Sequence, residues 1–112
     1  MAYDVYAIKY AERDAARGEH FIGGDPHDDS PMPMDYFVWA IVERSTGRSW
    51  MVDTGFEADD AAQRNRRLLR TAAECAAVVG LEAVDVSDVI LTHFHYDHAG
   101  GVNQFPNATF HT

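Results

Sequence analysis

Three histidines and one aspartate fall close together in the sequence, at His93, His95, Asp97 and His98. Neutral imidazole is the commonest transition-metal ligand in proteins, and a carboxylate completes a donor set that suits zinc, iron or manganese. Directly after a strand, residues two apart point the same way, so His93 and His95 are predicted to reach one ion together. Asp97 and His98 are adjacent, and they can serve a second ion nearby if the loop turns into a helix. Gly100 and Gly101 follow, and the missing side chains let the backbone approach closely there.

The alternative interpretation of this cluster is a histidine-rich solvated loop. A metal site is favoured because the cluster lies between an apolar strand and the glycine pair, one residue from each, and a solvated loop does not need either. Phe94 and Tyr96 alternate with the cluster and are predicted to pack beside it, with orientation of a substrate as the alternative role for Tyr96. Cys75 lies on the apolar side of a predicted helix and is interpreted as a core residue. We interpret the histidines outside the cluster as surface or core residues: His20, His27 and His111.

The first half of the chain is predicted to form strands separated by one long loop. Residues 5–10 form a short strand, and residues 11–34 form the loop, which is rich in charged residues, glycine and proline. Residues 36–42 give the strongest strand signal, with seven aromatic, β-branched or small apolar residues in a row, and both faces are predicted to be buried. A turn at residues 45–48 leads to a partner strand at residues 49–52.

The second half alternates helices with strands. Residues 58–70 are predicted to form a helix, and Thr71 with Glu74 matches the capping box that starts a second helix. Gly80 is a natural end for that helix. The remaining predicted strands are residues 89–91 and 108–111. A strand hairpin followed by alternating helices and strands indicates a mixed α/β architecture.

The composition excludes several classes of protein. The chain has 112 residues, with 18 acidic against 9 basic side chains and a formal net charge of −9, so it lacks the basic patch that nucleic-acid binding needs. No apolar run approaches the roughly 20 residues of a membrane span, and the first residues do not resemble a signal peptide. Its one cysteine excludes an internal disulfide and fits a reducing compartment. We therefore expect a soluble, cytoplasmic protein with no nucleic-acid or membrane partner.

Two stretches carry a family resemblance. Residues 93–98 read His-x-His-x-Asp-His between Val-Ile-Leu-Thr and Ala-Gly-Gly, and they resemble the signature of the metallo-β-lactamase superfamily. Residues 51–55 resemble the second hallmark of that superfamily, an aspartate-containing turn after an early β-hairpin. Within the superfamily the sequence is most similar to the N-acyl-homoserine lactonase-like hydrolases, on the strength of these stretches together with residues 36–41.

The resemblance implies an α/β fold of the αββα sandwich type, built from two similar halves. Residues 1–112 then form the N-terminal half of a single metallo-β-lactamase-like domain, with the motifs in residues 36–112. The further metal ligands of such a site, a histidine, a bridging aspartate and a final histidine, are expected from sequence beyond residue 112. We therefore interpret the chain as a piece of a larger enzyme, with a second chain supplying the ligands as the alternative.

The resemblance also implies individual roles. His93 and His95 hold the first metal ion and Asp97 and His98 the second, with a hydroxide shared by the two ions as the nucleophile. Asp97 also acts as a catalytic residue by passing a proton to the leaving alkoxide. Asp53 supports the site by accepting an imidazole N–H, and its alternative role is that of a turn-capping aspartate. A histidine at position 95, where the flavodiiron branch carries glutamate, favours hydrolysis and zinc, although iron or manganese fits the same ligands.

The function implied is a metal-dependent hydrolase that attacks an ester-type carbonyl, most simply a quorum-quenching lactonase acting on N-acyl-homoserine lactones. A thioester hydrolase or a persulfide dioxygenase of the same superfamily is the alternative enzyme. A non-catalytic metal-binding module is the alternative from another class. The loop at residues 11–34 is expected to contribute homodimer contacts, to line a pocket for a small-molecule substrate, or to be a plain solvated connection.

Overall fold

The computed structural model describes residues 2–19 and 29–112, which form a six-stranded mixed sheet with three short helices. The strands are β1 (Tyr3–Arg13), β2 (Met34–Glu43), β3 (Ser49–Val52), β4 (Arg67–Leu68), β5 (Asp88–Ile90) and β6 (Thr109–His111). The helices are α1 (Ala58–Arg64), α2 (Ala72–Val78) and α3 (Tyr96–Ala99). This arrangement confirms the predicted α/β architecture. His20 and His27 lie outside the described residues.

The strand order across the sheet is β4-β1-β2-β3-β5-β6. The pairs β4–β1, β1–β2 and β2–β3 are antiparallel, whereas β3–β5 and β5–β6 are parallel. Parallel neighbours end at the same edge of a sheet, and in α/β folds ligands bind outside the carboxyl ends of such strands. The segments that follow β3 and β5 therefore emerge side by side at one edge.

One face of the sheet carries the core. Alternate residues of β1 and β2, such as Tyr10 and Val38, are fully buried in one cluster with Phe56 and Cys75. On the opposite face of β2, Phe37 is 38% exposed, and Trp39 and Ile41 are only partly buried. The prediction that both faces of β2 are buried is therefore wrong for the described chain. Buried and more exposed residues alternate along β2, as they do in a sheet with one covered face. Among the described residues, no helix has the length and apolar character needed to cross a membrane.

Two predicted boundaries differ from the structure around the first loop. Strand β1 continues to Arg13, and β2 begins at Met34, so the predicted loop at residues 11–34 is shorter at both ends. The extra residues of β1 are ordered by pairing with β2, since Arg13 lies opposite Met34 in the antiparallel register. Of the remaining segment, residues 20–28 lie outside the described part of the chain.

The predicted helix at residues 58–70 is wrong in its second half. Helix α1 ends at Arg64, because Asn65 takes a left-handed backbone conformation with φ 56°. Asparagine tolerates that conformation better than most residues, and it is a common way to end a helix. The chain beyond it forms β4, which pairs with Ala11 and Glu12 at the outer edge of the sheet.

Helix α2 begins and ends as its sequence predicts. The Thr71 hydroxyl accepts a hydrogen bond from the Glu74 amide at 3.2 Å, and the Glu74 carboxylate accepts one from the Thr71 amide at 2.9 Å. Gly80 follows the helix end with φ 82°. Cys75 is buried as predicted, and burial raises the pKa of its thiol to about 11. A thiol with so high a pKa is a weak nucleophile, in line with its interpretation as a core residue.

The β2–β3 hairpin is closed by a buried carboxylate that the sequence did not mark. Glu43 accepts hydrogen bonds from the amide and hydroxyl of Ser45, at 3.1 and 2.6 Å, and from the amide of Thr46 at 2.8 Å. The hydroxyl of Thr46 donates to the same carboxylate. Hydrogen bonds to the charged form stabilise it, and they lower the pKa of Glu43 to about 2.

We expect Glu43 to make folding sensitive to acid. Its pKa is lower in the folded protein than the ordinary value of 4.5, so its stabilising contribution is present above pH 4.5 and is lost as the pH falls towards 2. Urea unfolding at pH 5 and near pH 2 is expected to show a smaller pH dependence in Glu43→Gln than in the parent. Glu82→Gln is the control, because Glu82 makes no capping hydrogen bond. An equal pH dependence in parent and Glu43→Gln would contradict this expectation.

Candidate metal centre

The site forms where β3 and β5 end. Asp53 directly follows β3 and Thr92 lies two residues beyond the end of β5, and the Asp53 amide donates to the Ile90 carbonyl at 2.8 Å. Asp53 has a left-handed backbone with φ 66°, which asparagine and aspartate adopt more readily than other residues with side chains. This turn directs the Asp53 carboxylate towards the segment after β5, where the histidine cluster begins.

Asp97 and His98 lie in helix α3, so the loop turns into a helix at these two adjacent residues, which is the condition under which both were predicted to bind a metal. The helix is preceded by His95 in an extended conformation, with φ −60° and ψ 152°. Two carbonyl groups of the helix are held by residues from other elements. The Tyr10 hydroxyl donates to the Asp97 carbonyl at 2.8 Å, and the Thr54 amide donates to the His98 carbonyl at 2.7 Å. Strand β1 and the turn after β3 therefore fix the position of α3.

The glycine pair after α3 allows the close approach predicted from the sequence. A Cβ atom at Gly101 would overlap the carbonyl oxygen of Thr54, and one at Gly100 would lie 3.0 Å from the carbonyl oxygen of Gly55. The Gly101 amide also donates to the Thr54 hydroxyl at 3.1 Å. Helix α3 packs directly onto the turn that carries Asp53 because neither glycine has a side chain.

The structure brings together three of the four predicted metal ligands. One ligand atom each from His93, Asp97 and His98 lie within 4.8 Å of one another. The His98 Nε2 atom is 3.5 Å from the Asp97 carboxylate, and the ring centroids of His93 and His98 are 3.9 Å apart. His95 stands outside this group in the described residues, with its ring edge-on to His93 at a centroid distance of 4.7 Å. The division of the ligands between two ions stays a prediction.

The three gathered donors fit a transition metal. Two imidazole nitrogens and one carboxylate oxygen form the kind of set that zinc, iron and manganese accept. Catalytic zinc sites often use three protein ligands and leave the fourth position for water or substrate. Here Asp97 and His98 are partly exposed, with 19% and 23% of their side-chain surfaces accessible, so the group is open on one side.

Asp53 lies beneath this group and is almost fully buried. It accepts hydrogen bonds from the Thr92 amide at 2.9 Å and from the Thr92 hydroxyl, and its other oxygen lies 2.6 Å from Nδ1 of His98. A carboxylate accepts hydrogen bonds, so Nδ1 of His98 donates to Asp53. In the neutral ring the lone pair is then on Nε2, which lies beside Asp97. Asp53 thus makes the contact that a supporting role requires, and through the Thr92 amide it also caps the turn.

Two further residues discussed in the sequence analysis do not belong to the three-ligand group. His111 is in β6, where its Nε2 is 2.9 Å from the carboxylate of Asp88. This contact and the hydrogen bond from Ser87 lower the pKa of Asp88. Phe94 is 71% exposed, so the prediction that it packs beside the cluster is wrong within the described residues.

The other aromatic residue of the motif packs as predicted. Tyr96 stacks on Phe56 at a centroid distance of 5.6 Å, and the guanidinium of Arg64 lies 3.7 Å above its ring. These contacts join α3 to α1, through Arg64, and to the segment before α1, through Phe56. Tyr96 therefore supports the helix that carries Asp97 and His98.

Three residues that position the site have no predicted role in the sequence. Thr92 contacts Asp53 and His93, Thr54 holds the His98 carbonyl, and Tyr10 holds the Asp97 carbonyl. Thr92 and Thr54 stand next to predicted site residues, and that adjacency is the signal that could have found them. Tyr10 has no comparable signal, because it is 87 residues away from the carbonyl that it binds.

We expect the closeness of α3 to the Asp53 turn to be sensitive to one added methyl group. Gly101→Ala is expected to cost about 1–3 kcal/mol of unfolding free energy, as overpacking does, and to weaken zinc binding by moving His98 away from Asp53. Equilibrium unfolding and a zinc-chelator competition check the two effects. Gly47→Ala is the comparison, because Gly47 has φ 73° but open space around it, so stability falls without a change in zinc affinity. Equal zinc affinity in Gly101→Ala and the parent would contradict the expectation.

Comparison with known proteins adds relatives with related sequences. Probable metallo-hydrolases of Mycobacterium tuberculosis and Mycobacterium bovis are each 40% identical to the chain over 73 residues. Each alignment covers 54% of this chain and 24% of the relative. The chain therefore matches about a quarter of the length of these curated relatives.

Solved structures share the fold. A quorum-quenching N-acyl homoserine lactone lactonase matches with a TM-score of 0.71 and 19% identity, over 95% of this chain and 43% of the lactonase. The dizinc lactonase AidC, in complex with the product N-hexanoyl-L-homoserine, matches with a TM-score of 0.70 and 21% identity, over 96% and 40% of the two chains. A probable metal-dependent hydrolase from Staphylococcus aureus matches with a TM-score of 0.73 and 16% identity, over 96% and 46%.

The family assignment follows from the sequence profile together with this fold. The profile described as the metallo-beta-lactamase superfamily matches residues 33–112, which include both the Asp53 turn and the histidine cluster. The lactonase structures cover most of the chain while the chain covers less than half of each of them. The chain belongs to the metallo-beta-lactamase superfamily.

Proposed function

We propose that the protein is a metal-dependent hydrolase that opens the ester bond of a lactone, with N-acyl-homoserine lactones as the substrate class. The observation that carries the proposal is the group formed by His93, Asp97 and His98, with the buried Asp53 carboxylate beneath it. Membership of the superfamily supports metal-dependent hydrolysis, and the lactonases among the structural matches support the substrate class.

In this proposal His93, Asp97 and His98 hold the metal ion, and zinc is the ion proposed because two imidazoles and a carboxylate suit it well. The chemistry that zinc would supply there, when bound, is activation of water as a nucleophile near neutral pH and polarisation of the substrate carbonyl. The protein residues set the geometry. Asp53 fixes the His98 ring, and Tyr10 and Thr54 fix the helix that carries Asp97 and His98.

Asp97 is proposed to carry a proton to the leaving alkoxide as well as to hold the metal. Its carboxylate lies beside His98 and is partly exposed on the open side of the group, so a substrate can approach it. Its backbone carbonyl is fixed by the Tyr10 hydroxyl, which restricts where the carboxylate can move. General acid–base catalysis by a positioned carboxylate contributes typically about 10²–10⁴-fold to a rate.

The proposal is tested with a panel of substrates on the full-length protein loaded with zinc, so that the ligands expected beyond residue 112 are present. Hydrolysis of N-hexanoyl-homoserine lactone is expected to exceed hydrolysis of a glutathione thioester, and chelation of the metal is expected to abolish it. Asp97→Asn is expected to lower the rate by about 10²-fold or more, since it removes both a ligand and a proton carrier. Asp59→Asn, at an exposed position in α1, is the matched control and should leave the rate unchanged.

Three results would contradict the proposal in different ways. Faster hydrolysis of the thioester would reassign the substrate class. Zinc binding without turnover of any ester would favour the non-catalytic metal-binding module. Lactone hydrolysis that persists after removal of the metal would exclude metal-dependent chemistry.

A further inference from the structure

Thr92 stands between a buried carboxylate and a metal-binding histidine. Its hydroxyl oxygen lies 3.0 and 2.9 Å from the two carboxylate oxygens of Asp53, and 3.0 Å from Nδ1 of His93. Its backbone amide donates separately to Asp53 at 2.9 Å. The Thr92 hydroxyl therefore links the side chains of Asp53 and His93, while the Thr92 amide makes its own hydrogen bond to Asp53.

The chemistry of the three groups fixes the direction of these hydrogen bonds. A threonine hydroxyl has one hydrogen to donate and lone pairs to accept with, whereas a carboxylate only accepts. The hydroxyl must therefore donate to Asp53 and accept from the Nδ1–H group of His93. In the neutral ring, that arrangement leaves the Nε2 atom of His93 without a hydrogen, which is the tautomer that can bind a metal through Nε2.

The same carboxylate sets the second histidine directly. Nδ1 of His98 is 2.6 Å from Asp53, so this ring also donates from Nδ1, and its neutral form has the lone pair on Nε2. The rings of His93 and His98 lie 3.9 Å apart. One buried carboxylate thus sets the hydrogen positions of both imidazoles, once directly and once through Thr92.

We propose that Thr92 is a positioning residue of the metal centre, whose hydroxyl bridges Asp53 to His93 and holds the His93 ring in its metal-binding tautomer. This inference rests on the proposed metal-binding role of His93, Asp97 and His98. The loss of a hydrogen-bond partner of a metal ligand typically weakens metal binding about 10–100-fold. Thr92 and His93 are exposed, so water competes with the bridge and an effect near the lower end is expected.

Zinc affinity in the full chain gives the first test. Thr92→Val keeps the shape of the side chain but removes the hydroxyl, and it is expected to weaken zinc binding about 10-fold in a chelator competition. Thr92→Ser restores a hydroxyl and is expected to bind zinc within a small factor of the parent. Thr109→Val removes a hydroxyl from an exposed position in β6 and is the matched control. Parent-like affinity in Thr92→Val would overturn the proposal.

The tautomers give a second test that does not need metal or activity. In ¹⁵N NMR spectra of the metal-free full chain at alkaline pH, where imidazole is neutral, His93 and His98 are both expected to carry hydrogen on Nδ1. In Thr92→Val only His93 is expected to lose this preference, since the contact of His98 with Asp53 remains. Hydrogen on Nε2 of His93 in the parent would overturn the proposal even if Thr92→Val failed to fold. Failure of the parent to bind zinc would instead reject the proposed function, and the spectra would still decide the role of Thr92.

Discussion

Replacement of His98 by alanine is expected to weaken zinc binding more than about 100-fold, beyond the range caused by losing an outer hydrogen-bond partner. The His98 ring contacts three residues of the site: its Nε2 is 3.5 Å from Asp97, its Nδ1 is 2.6 Å from Asp53, and its centroid is 3.9 Å from that of His93. Its loss removes a ligand and leaves Asp53 with one hydrogen-bond donor fewer. The proposed lactone hydrolysis should fall with the bound zinc.

The control for this change is His111→Ala. His111 lies in β6, outside the group, where it is half exposed and pairs with Asp88 of β5. The His111→Ala protein should bind as much zinc as the parent protein when both are analysed for metal content after dialysis. Equal zinc content in His98→Ala and His111→Ala would show that the group formed by His93, Asp97 and His98 is not the metal site.

The second large effect is expected at Asp53, where two substitutions separate two roles. Asp53→Ala removes the acceptor for the Thr92 amide and for His98, and it places alanine in a left-handed conformation. The Thr92 amide and the His98 ring are partly exposed, so each donor left without a partner costs at most the ~1–3 kcal/mol of a buried one, and the backbone conformation costs a further 1–2 kcal/mol or so. A loss of several kcal/mol in unfolding free energy is therefore expected, with zinc affinity lost as well.

Asp53→Asn is expected to keep most of the stability and still lose zinc affinity. Asparagine tolerates the left-handed backbone, and its carbonyl oxygen can still accept from Thr92. Its amide group, however, is a donor, and it would face the Nδ1–H group of His98. A 10–100-fold or so loss of zinc affinity is expected, measured by chelator competition with Asp59→Asn as the control. Parent-like zinc affinity in Asp53→Asn would contradict the role given to the carboxylate.

Local sequence patterns predicted the parts of the fold that depend on neighbouring residues. The capping box of Thr71 and Glu74 and the β2–β3 hairpin depend on contacts a few residues apart, and both form as predicted. The helix at residues 58–70 was overpredicted because its arginine- and leucine-rich second half has good helix propensity. Pairing with β1, more than 50 residues earlier, makes that segment a strand instead.

The site was predictable in composition and only partly in arrangement. The residue types at His93, Asp97 and His98 indicated a metal, and the position of Asp53 followed from the family resemblance. The contact of Tyr10 with the Asp97 carbonyl depends on how the whole sheet folds, and no pattern in the neighbouring sequence predicts it. The grouping of His93 with Asp97 and His98, with His95 beside it, depends on where α3 begins, which spacing alone did not define.

The most direct test of the proposed metal centre is an anomalous difference map, collected at the zinc absorption edge from crystals of the zinc-loaded full chain. The expected result is a zinc peak about 2.0–2.2 Å from Nε2 of His93, from a carboxylate oxygen of Asp97 and from Nε2 of His98. Nδ1 of His98 should remain bonded to Asp53 in the same crystals. A zinc peak that does not contact these three residues, or no peak at the end of β5, would contradict the assignment.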